Sequence, residues 1–345
     1  MCWGSKRYGK SKWRIRQSVR AGTRHVFGKS GFHHVFREKW ICTAPCGGFR
    51  IDENVAPANP HYIADTGVIL VQCMIDGLEM RLGRTWDTEP LAEWLHSLGT
   101  VFRIYDDQDS GNLCFGVNGA DGKLFVKFAG APTARYDGDP ADAVIRLKEA
   151  VPIYRHLVHP SLIRLLSDGE TAGGYAAVFR WAEGICMGRQ YPEDHRRFMA
   201  LPAADKLRVY RAVLDFHRTV MARGWQNVDF YDGSVLYDPT TGVTGICDID
   251  FYRPGPFTNT MGRMWGSSRF MAPEEFVRGE RIAEDTCVFT MGKMAFALFA
   301  DSAAERSAWP LSEKSWQVAV KATGNDRTMR YQTVSELITA WEASL

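Results

Sequence analysis

The chain has no hydrophobic run long enough to cross a bilayer and no cysteine-dense segment. Its longest apolar run, Gly67–Ile75, is far shorter than the roughly 20 residues that a transmembrane helix needs. The N-terminus has no apolar stretch followed by a small-residue cleavage site, so no secretory signal is predicted. Eight scattered cysteines do not form a disulfide framework. We therefore expect a protein of the reducing cytoplasm, without a membrane partner.

Acidic residues are almost absent from the first 40 positions, which carry eleven Lys or Arg and a single acid, Glu38. Residues 1–60 also show no sustained helical or strand periodicity. Residues 1–75 are therefore predicted to be an N-terminal extension, either disordered or outside the native start. Nucleic acid is an expected partner only through this basic arm.

Three hypotheses account for this extension. The first is a basic arm that contacts nucleic acid or anionic surfaces. The second is a translated segment upstream of a native start at Met74 or Met80. The third is a small metal module, although one Cys-x3-Cys pair is a weak zinc signal. The candidate ligands of that module are His33, His34, Cys42 and Cys46.

From residue 86 onward, a strand-rich half is followed by a helix-rich half. Alternating or β-branched runs predict strands at 100–105, 113–117, 123–128 and 174–181. Helical patterns are predicted at 142–157, 203–223, 283–301, 312–321 and 332–344. Strands segregated from helices along the chain, with no internal repeat, predict an α+β fold.

Three motifs in the helix-rich half carry the functional signal. They are Asn-Val-Asp-Phe-Tyr-Asp-Gly-Ser-Val-Leu-Tyr at 227–237, Asp-Ile-Asp-Phe-Tyr at 248–252 and Gly-Ser-Ser-Arg-Phe-Met-Ala-Pro-Glu at 266–274. In this order they resemble the catalytic loop, the metal-binding turn and the APE segment of protein kinases. Two later stretches, at 285–292 and 330–337, resemble the kinase central-helix and late-arginine motifs. The resemblance covers about residues 100–345, most of the chain.

This resemblance implies a two-lobed protein kinase-like fold and a bacterial-type Ser/Thr protein kinase that uses ATP and Mg²⁺. The domain would span 86–345, with a small β-rich N-lobe at 86–180 and a larger helical C-lobe at 181–345. Ser267, at the threonine position of the APE segment, favours a Ser or Thr hydroxyl of a protein as acceptor. Glu274 and Arg330 would form a buried ion pair.

The resemblance also assigns roles to individual residues. Asp229 would take or orient the proton of the acceptor hydroxyl, and Lys127 would hold the inner phosphates while paired with Glu149 on the next helix. The metal ligands would be Asp250, with Asp248 as the alternative and Ser234 as a weak neutral ligand. The nucleotide would be held by residues of the glycine loop, the lysine strand and the hinge. These are Gly111, Gly116, Lys127, Phe179, Arg180 and Ala182.

The motifs depart from the kinase pattern beside the catalytic carboxylates. Val228 stands at the arginine of the catalytic loop, Ser234 at its asparagine and Tyr252 at the glycine of the metal-binding turn. These losses keep open a pseudokinase, meaning a nucleotide-binding or scaffolding module without transfer activity. The 227–237 loop is also similar to that of aminoglycoside and choline kinases, which keeps open a small-molecule phosphotransferase.

Overall fold

The computed structural model describes residues 61–63 and 69–345, and this part of the chain is α+β, as predicted. Its α-helices are α1 (Glu89–Leu98), α2 (Pro140–His156), α3 (Pro192–Met199), α4 (Ala203–Ala222), α5 (Glu284–Ala300), α6 (Glu313–Ala322) and α7 (Val334–Glu342).

The strands follow the same division. In the first half they are β1 (His61–Ile63), β2 (Ile69–Ile75), β3 (Leu78–Leu82), β4 (Gly99–Tyr105), β5 (Asn112–Gly119), β6 (Gly122–Ala129), β7 (Leu165–Thr171) and β8 (Gly174–Arg180). In the second half they are β9 (Ile185–Cys186), β10 (Trp225–Gln226), β11 (Val235–Asp238), β12 (Val243–Ile246), β13 (Arg253–Pro254), β14 (Phe257–Thr258) and β15 (Arg281–Ile282).

A five-stranded antiparallel sheet of order β4-β5-β6-β8-β7 forms the centre of the strand-rich half. Alternation along β6 decides which side chains enter the interior, because successive residues of a strand point to opposite faces. Val126 and Phe128 pack with the first hairpin and α1. Phe125 and Ala129 pack instead with α2 and the helical half, so Lys127 between them faces that same interior.

The outer face of the sheet is covered by the β2–β3 hairpin and by α1. Met80 and Leu82 of the hairpin are fully buried and belong to the same apolar cluster as Leu91 and Leu95 of α1. Residues 69–82 precede the predicted domain start at 86, yet they contribute to its core. A chain beginning at Met80 would lack β2, the partner strand of β3.

The helix-rich half is built around α5, which is buried at almost every position. Such a helix is apolar on all sides because other elements surround it. It packs against α4, α6 and α7. The predicted helices at 142–157, 203–223, 283–301, 312–321 and 332–344 are confirmed as α2, α4, α5, α6 and α7, with small shifts at their ends. Within the described residues, no helix combines the length and apolarity that crossing a bilayer requires.

The hairpin yields a stability test with an internal control. Met80→Ala removes a fully buried side chain, and we expect a loss of about 2–5 kcal/mol in the free energy of unfolding. Met74→Ala, in the paired strand but 62% exposed, should change that free energy by less than about 0.5 kcal/mol. Urea unfolding of the full chain measures both. A loss for Met80→Ala as small as that for Met74→Ala would show that the hairpin is not part of the cooperative core.

Candidate functional site

Lys127 is a buried ammonium group at the centre of the site, with 3% of its surface exposed. Its Nζ forms an ion pair with Asp250 and lies 3.5 Å from Oδ1 of Asp248. Burial alone would lower the pKa of Lys127, but the carboxylates of Asp250 and Asp248 outweigh this and hold that pKa above its usual value. Lys127 is therefore charged in this position.

The two aspartates are brought to Lys127 by the turn that follows β12. Asp248 adopts a left-handed backbone conformation, with φ of 56°, which is uncommon for a residue other than glycine. Such strain persists where the surrounding structure imposes it, and functional sites are frequent examples. The hydroxyl of Tyr154 donates to Oδ1 of Asp250 at 2.8 Å and accepts from the backbone N–H of Ile249 at 3.2 Å.

The predicted ion pair between Lys127 and Glu149 does not form, because Lys127 is paired with Asp250 instead. Glu149 is exposed on α2, whereas Leu147, Ala150 and Tyr154 lie on the buried side of the same helix. Side chains three to four positions apart share a helix face, so the register that buries Tyr154 turns Glu149 outward. The residue that links α2 to the charged centre is therefore Tyr154, which the sequence motifs did not indicate.

Asp229 lies in the 227–237 loop and is half-buried. It also has a left-handed backbone, with φ of 59°. Gly266 packs against it: a Cβ added at Gly266 would lie 3.4 Å from Cα and 3.5 Å from Oδ1 of Asp229. With a φ of 135°, Gly266 also holds a conformation that side chains disfavour. The 266–274 segment thus borders the predicted catalytic carboxylate directly.

A second contact fixes the 227–237 loop to the 266–274 segment. The two terminal guanidinium nitrogens of Arg269 each donate to one carboxylate oxygen of Asp232, at 2.9 Å. Asp232 is 1% exposed, so this two-pronged pair lies in a poorly solvated place where such geometry contributes most. Neither residue was singled out from the sequence, because only the fold reveals that they meet.

The predicted ion pair between Glu274 and Arg330 is confirmed. Arg330 donates to both carboxylate oxygens of Glu274, at 2.8 and 3.1 Å, and both side chains are almost fully buried. Thr286 on α5 donates to the same carboxylate at 2.9 Å. A buried charge needs such partners, since removing one leaves the other unpaired at a cost of about 3–5 kcal/mol. The pair ties the end of the 266–274 segment to α5.

A cavity of about 520 Å³ opens between these elements. Of the predicted site residues, Asp229, Asp250 and Glu149 line it. The other described lining residues come from the β4–β5 loop and the start of β5, the segment before α2, α2 itself, the 227–237 loop and the 251–267 region. They are Asp109, Ser110, Asn112, Arg135, Tyr136, Asp137, Gly138, Arg146, Leu147, Tyr231, Phe251, Trp265, Gly266 and Ser267. Its volume is within the range of small-molecule sites.

The residues predicted to hold the nucleotide do not line this cavity. Gly111 is buried with φ of 77°, and an added Cβ would lie 2.7 Å from the ring of Tyr136. Phe179 is buried, Ala182 is half-buried, and the backbone N–H of Arg180 donates to the carbonyl of Arg164 at 2.8 Å. At Gly111, the β4–β5 loop therefore packs closely against the ring of Tyr136.

Aromatic rings fill the space under the sheet beside the predicted hinge. A Cβ added at Gly116 would lie 2.6 Å from Phe102 and 3.0 Å from Trp181. The Phe102 and Trp181 rings are 5.0 Å apart edge to face, and Phe125 lies 6.5 Å from Trp181. Edge-to-face rings at these separations attract each other. Gly116 thus makes room for side chains of the protein itself.

The residues present fit a magnesium ion by their chemistry. Asp248 and Asp250 supply carboxylate oxygens, which Mg²⁺ prefers, and one or two of them suffice when phosphates and water complete the shell. Within the part of the chain that the structure describes, neither the buried Oγ of Ser234 nor the hydroxyl of Tyr231 in the same loop has a hydrogen-bond partner. Across the described residues, no group of three or more His, Cys, Asp and Glu side chains is arranged to hold a metal on its own.

A scan against protein-family models gave no match for this chain.

A buried histidine supports the turn that carries the aspartates. His217 of α4 is fully buried; its Nδ1 lies 2.8 Å from the carbonyl of Val213, and its Nε2 lies 2.8 Å from the hydroxyl of Tyr252. Burial, opposed by the hydrogen bond to Val213 and aided by His159, lowers the pKa of His217 to about 4. The neutral imidazole donates through Nδ1 and accepts from Tyr252.

This histidine predicts a pH dependence of stability. Because the pKa of His217 is lower in the folded than in the unfolded chain, its contribution is complete above about pH 6.5 and is lost as the pH falls toward about 4. The full loss is about 3 kcal/mol in the free energy of unfolding. Urea unfolding of wild type and His217→Gln at several pH values measures it.

The His217→Gln variant should start less stable at neutral pH but lose less stability on acidification. The matched control is His156→Gln, at an exposed histidine at the end of α2, which should keep the wild-type slope. Identical slopes for wild type and His217→Gln would contradict a buried neutral imidazole.

Proposed function

We propose that this chain is an ATP-dependent phosphotransferase of the protein kinase-like type, with a Ser or Thr hydroxyl as acceptor. One observation carries the proposal: Asp229 and Asp250 line the same cavity, and a charged, buried Lys127 is paired with Asp250 at its edge. Phosphoryl transfer needs a carboxylate at the acceptor and fixed positive charge at the phosphates, within one pocket. The motif resemblance supplies the reaction class.

The chemistry assigns one task to each side chain. Asp229 accepts the proton of the acceptor hydroxyl while that oxygen bonds to the γ-phosphorus of ATP. The bond from the γ-phosphorus to the bridging oxygen breaks, and ADP leaves with the electron pair. Lys127 stabilises the negative charge on the phosphate oxygens. Mg²⁺, held by Asp248 and Asp250, would neutralise further phosphate charge.

The architecture is compatible with the two-lobed kinase arrangement that the proposal implies. The antiparallel sheet carries Lys127, and the helix-rich half carries Asp229 and the aspartate turn. The buried Glu274–Arg330 pair supports a kinase-like rather than an aminoglycoside kinase-like relationship, because the APE segment belongs to the former. The acceptor would then approach Asp229 beside Gly266 and Ser267.

The aromatic filling under the sheet favours a second candidate, a pseudokinase that acts as a nucleotide-binding or scaffolding module. Phe102, Phe125 and Trp181 lie beside the hinge, where the resemblance expects adenine. A base that bound there would contact these rings or displace one of them. A protein that never opens this space would keep the fold without transferring phosphate.

A transfer assay separates the two candidates. With purified full-length protein, radiolabelled ATP, Mg²⁺ and a generic protein acceptor, we expect label transfer that Asp229→Asn reduces at least about 100-fold, because the general base is lost. Lys127→Met should reduce it similarly, and its folding is checked by thermal unfolding because it removes the ammonium group that Asp248 and Asp250 contact.

The matched control for the lysine is Lys123→Met, a change in the same strand at an exposed position paired with Glu183. Asp121→Asn, in the exposed turn between β5 and β6, is the control for the aspartate. Both should retain wild-type transfer. Nucleotide binding without transfer, unchanged by Asp229→Asn, would overturn the enzyme and support the pseudokinase.

The packing of Val228 predicts activity that does not require phosphorylation of the segment between the aspartate turn and Glu274. Val228 is 3% exposed and packs in an apolar cluster in place of an arginine that could bind a phosphate. The other members of this cluster are Met264, Met271, Ile282, Phe251 and Phe257. Apolar contacts thus hold the segment without a phosphate.

Single alanine substitutions at the hydroxyl residues of this segment test the point. They are Thr258, Thr260, Ser267 and Ser268. The exposed positions Thr258, Thr260 and Ser268 should keep at least about half of wild-type transfer, since a lost phosphate cannot matter where none is used. Phosphatase treatment should also leave activity unchanged. If a phosphate on any of these four residues switches transfer on, the prediction that activity does not require phosphorylation is wrong.

A further inference from the structure

Tyr154 occupies the junction between α2 and the aspartate turn. Its side chain is 4% exposed, and its ring meets Phe179 edge to face at 4.9 Å. Its hydroxyl is the polar group of α2 that reaches the charged centre, 2.8 Å from Oδ1 of Asp250. Helix, sheet and turn therefore meet at this one side chain.

The direction of its hydrogen bonds is determined by chemistry. A hydroxyl has one proton to donate and can accept in addition. Because the N–H of Ile249 donates to the Tyr154 oxygen at 3.2 Å, that oxygen is an acceptor there, and its own proton points to the carboxylate of Asp250. Tyr154 thus binds both the backbone and a side chain of the turn.

Asp250 is consequently held from two sides. Its Oδ1 accepts from Tyr154, and its Oδ2 is paired with Lys127. One oxygen of this carboxylate is bound by a residue of α2 and the other by a residue of β6. The carboxylate therefore cannot rotate without losing a buried interaction. Hydrogen bonds to a charged group are among the stronger ones in proteins.

We propose that Tyr154 is a positioning residue for phosphoryl transfer, which orients Asp250 from α2. The inference rests on the proposed function and concerns how its site is assembled. In this chain the helix acts on the metal-side aspartate through a tyrosine hydroxyl, while Glu149 is turned toward the cavity and solvent. The link between α2 and the charged centre is then a hydrogen bond from a neutral hydroxyl to a carboxylate, in place of an ion pair.

Tyr154→Phe tests this with minimal disturbance, because the ring and its contact with Phe179 are kept. We expect kcat to fall about tenfold, and the Mg²⁺ concentration for half-maximal rate to rise about fivefold, because Asp250 is less well oriented. The KM for the acceptor should change less than about twofold, since the acceptor hydroxyl is handled by Asp229. A purely structural role would move stability alone.

Nucleotide binding gives a readout that does not depend on turnover. Titration calorimetry with ATP at fixed Mg²⁺ is carried out on wild type, Tyr154→Phe, Asp250→Ala and the double variant. If Tyr154 acts through Asp250, its substitution weakens binding in the wild-type background and has no further effect beside Asp250→Ala. Such non-additivity is the signature of direct coupling.

Tyr210→Phe is the matched control. Tyr210 is also a fully buried tyrosine, and its hydroxyl donates to the carbonyl of Met291 at 3.0 Å within the helical core. It should lower thermal stability about as much as Tyr154→Phe while leaving kcat, Mg²⁺ dependence and nucleotide affinity unchanged. This separates loss of a buried hydrogen bond from loss of positioning.

The outcomes separate the inference from the function on which it rests. Wild-type transfer that Asp229→Asn abolishes, combined with a Tyr154→Phe variant of normal kcat and Mg²⁺ dependence, overturns the inference alone. Additive effects of the Tyr154 and Asp250 changes on binding also overturn it. A wild-type protein that neither binds nucleotide nor transfers phosphate overturns the proposed function and the inference together.

Discussion

The burial of the Lys127 ammonium group is the constraint on which the rest of the described structure depends. An ammonium group placed between Phe125 and Ala129 on the inner face of β6 is too costly to leave unpaired. Two carboxylates of the helix-rich half, those of Asp248 and Asp250, contact it. The ion pair therefore joins the sheet to the turn after β12. It fixes the contact between the strand-rich and helix-rich halves at the position of Lys127.

A second set of charges, in the helix-rich half, fixes the loop and the segment that border Asp229. Arg269 holds Asp232 of the 227–237 loop, and Arg330 holds Glu274 at the end of the 266–274 segment. One segment is thus anchored to the loop near its start and to the helical core at its end. Because both carboxylates are buried, each pair is specific in geometry, and Gly266 is kept against Asp229.

The sequence predicted the helices well, because helical periodicity is a local signal, whereas the buried Glu274–Arg330 pair was expected from the motif resemblance alone. It did not predict the pairing inside the charged centre. Glu149 and Tyr154 are both on α2, and which one faces inward depends on the helix register against the sheet. That register is set by packing at Leu147 and Ala150, which no single motif encodes.

Two further features were hidden for a different physical reason. The Arg269–Asp232 pair joins positions far apart in sequence, and the motif resemblance assigned no role to either residue. The aromatic filling beside Gly116 depends on where Phe102 and Trp181 turn their rings. By contrast, the apolar run at 69–75 is visible in the sequence, yet β2 fell within the predicted 1–75 extension and β3 before the predicted domain start at 86.

For the proposed phosphoryl transfer, the charge of the centre also constrains how a phosphate donor would enter. Two carboxylates, Asp248 and Asp250, face one ammonium group, so the pocket is already negative before Asp229 is considered. Adding the negative charges of a nucleotide triphosphate at close range in a poorly solvated site is strongly unfavourable. Lys127 can turn to phosphate oxygens only if another cation takes over its carboxylates. Donor and divalent cation must therefore bind together, and the hydroxyl of Tyr154 keeps Asp250 oriented while its other partner is exchanged.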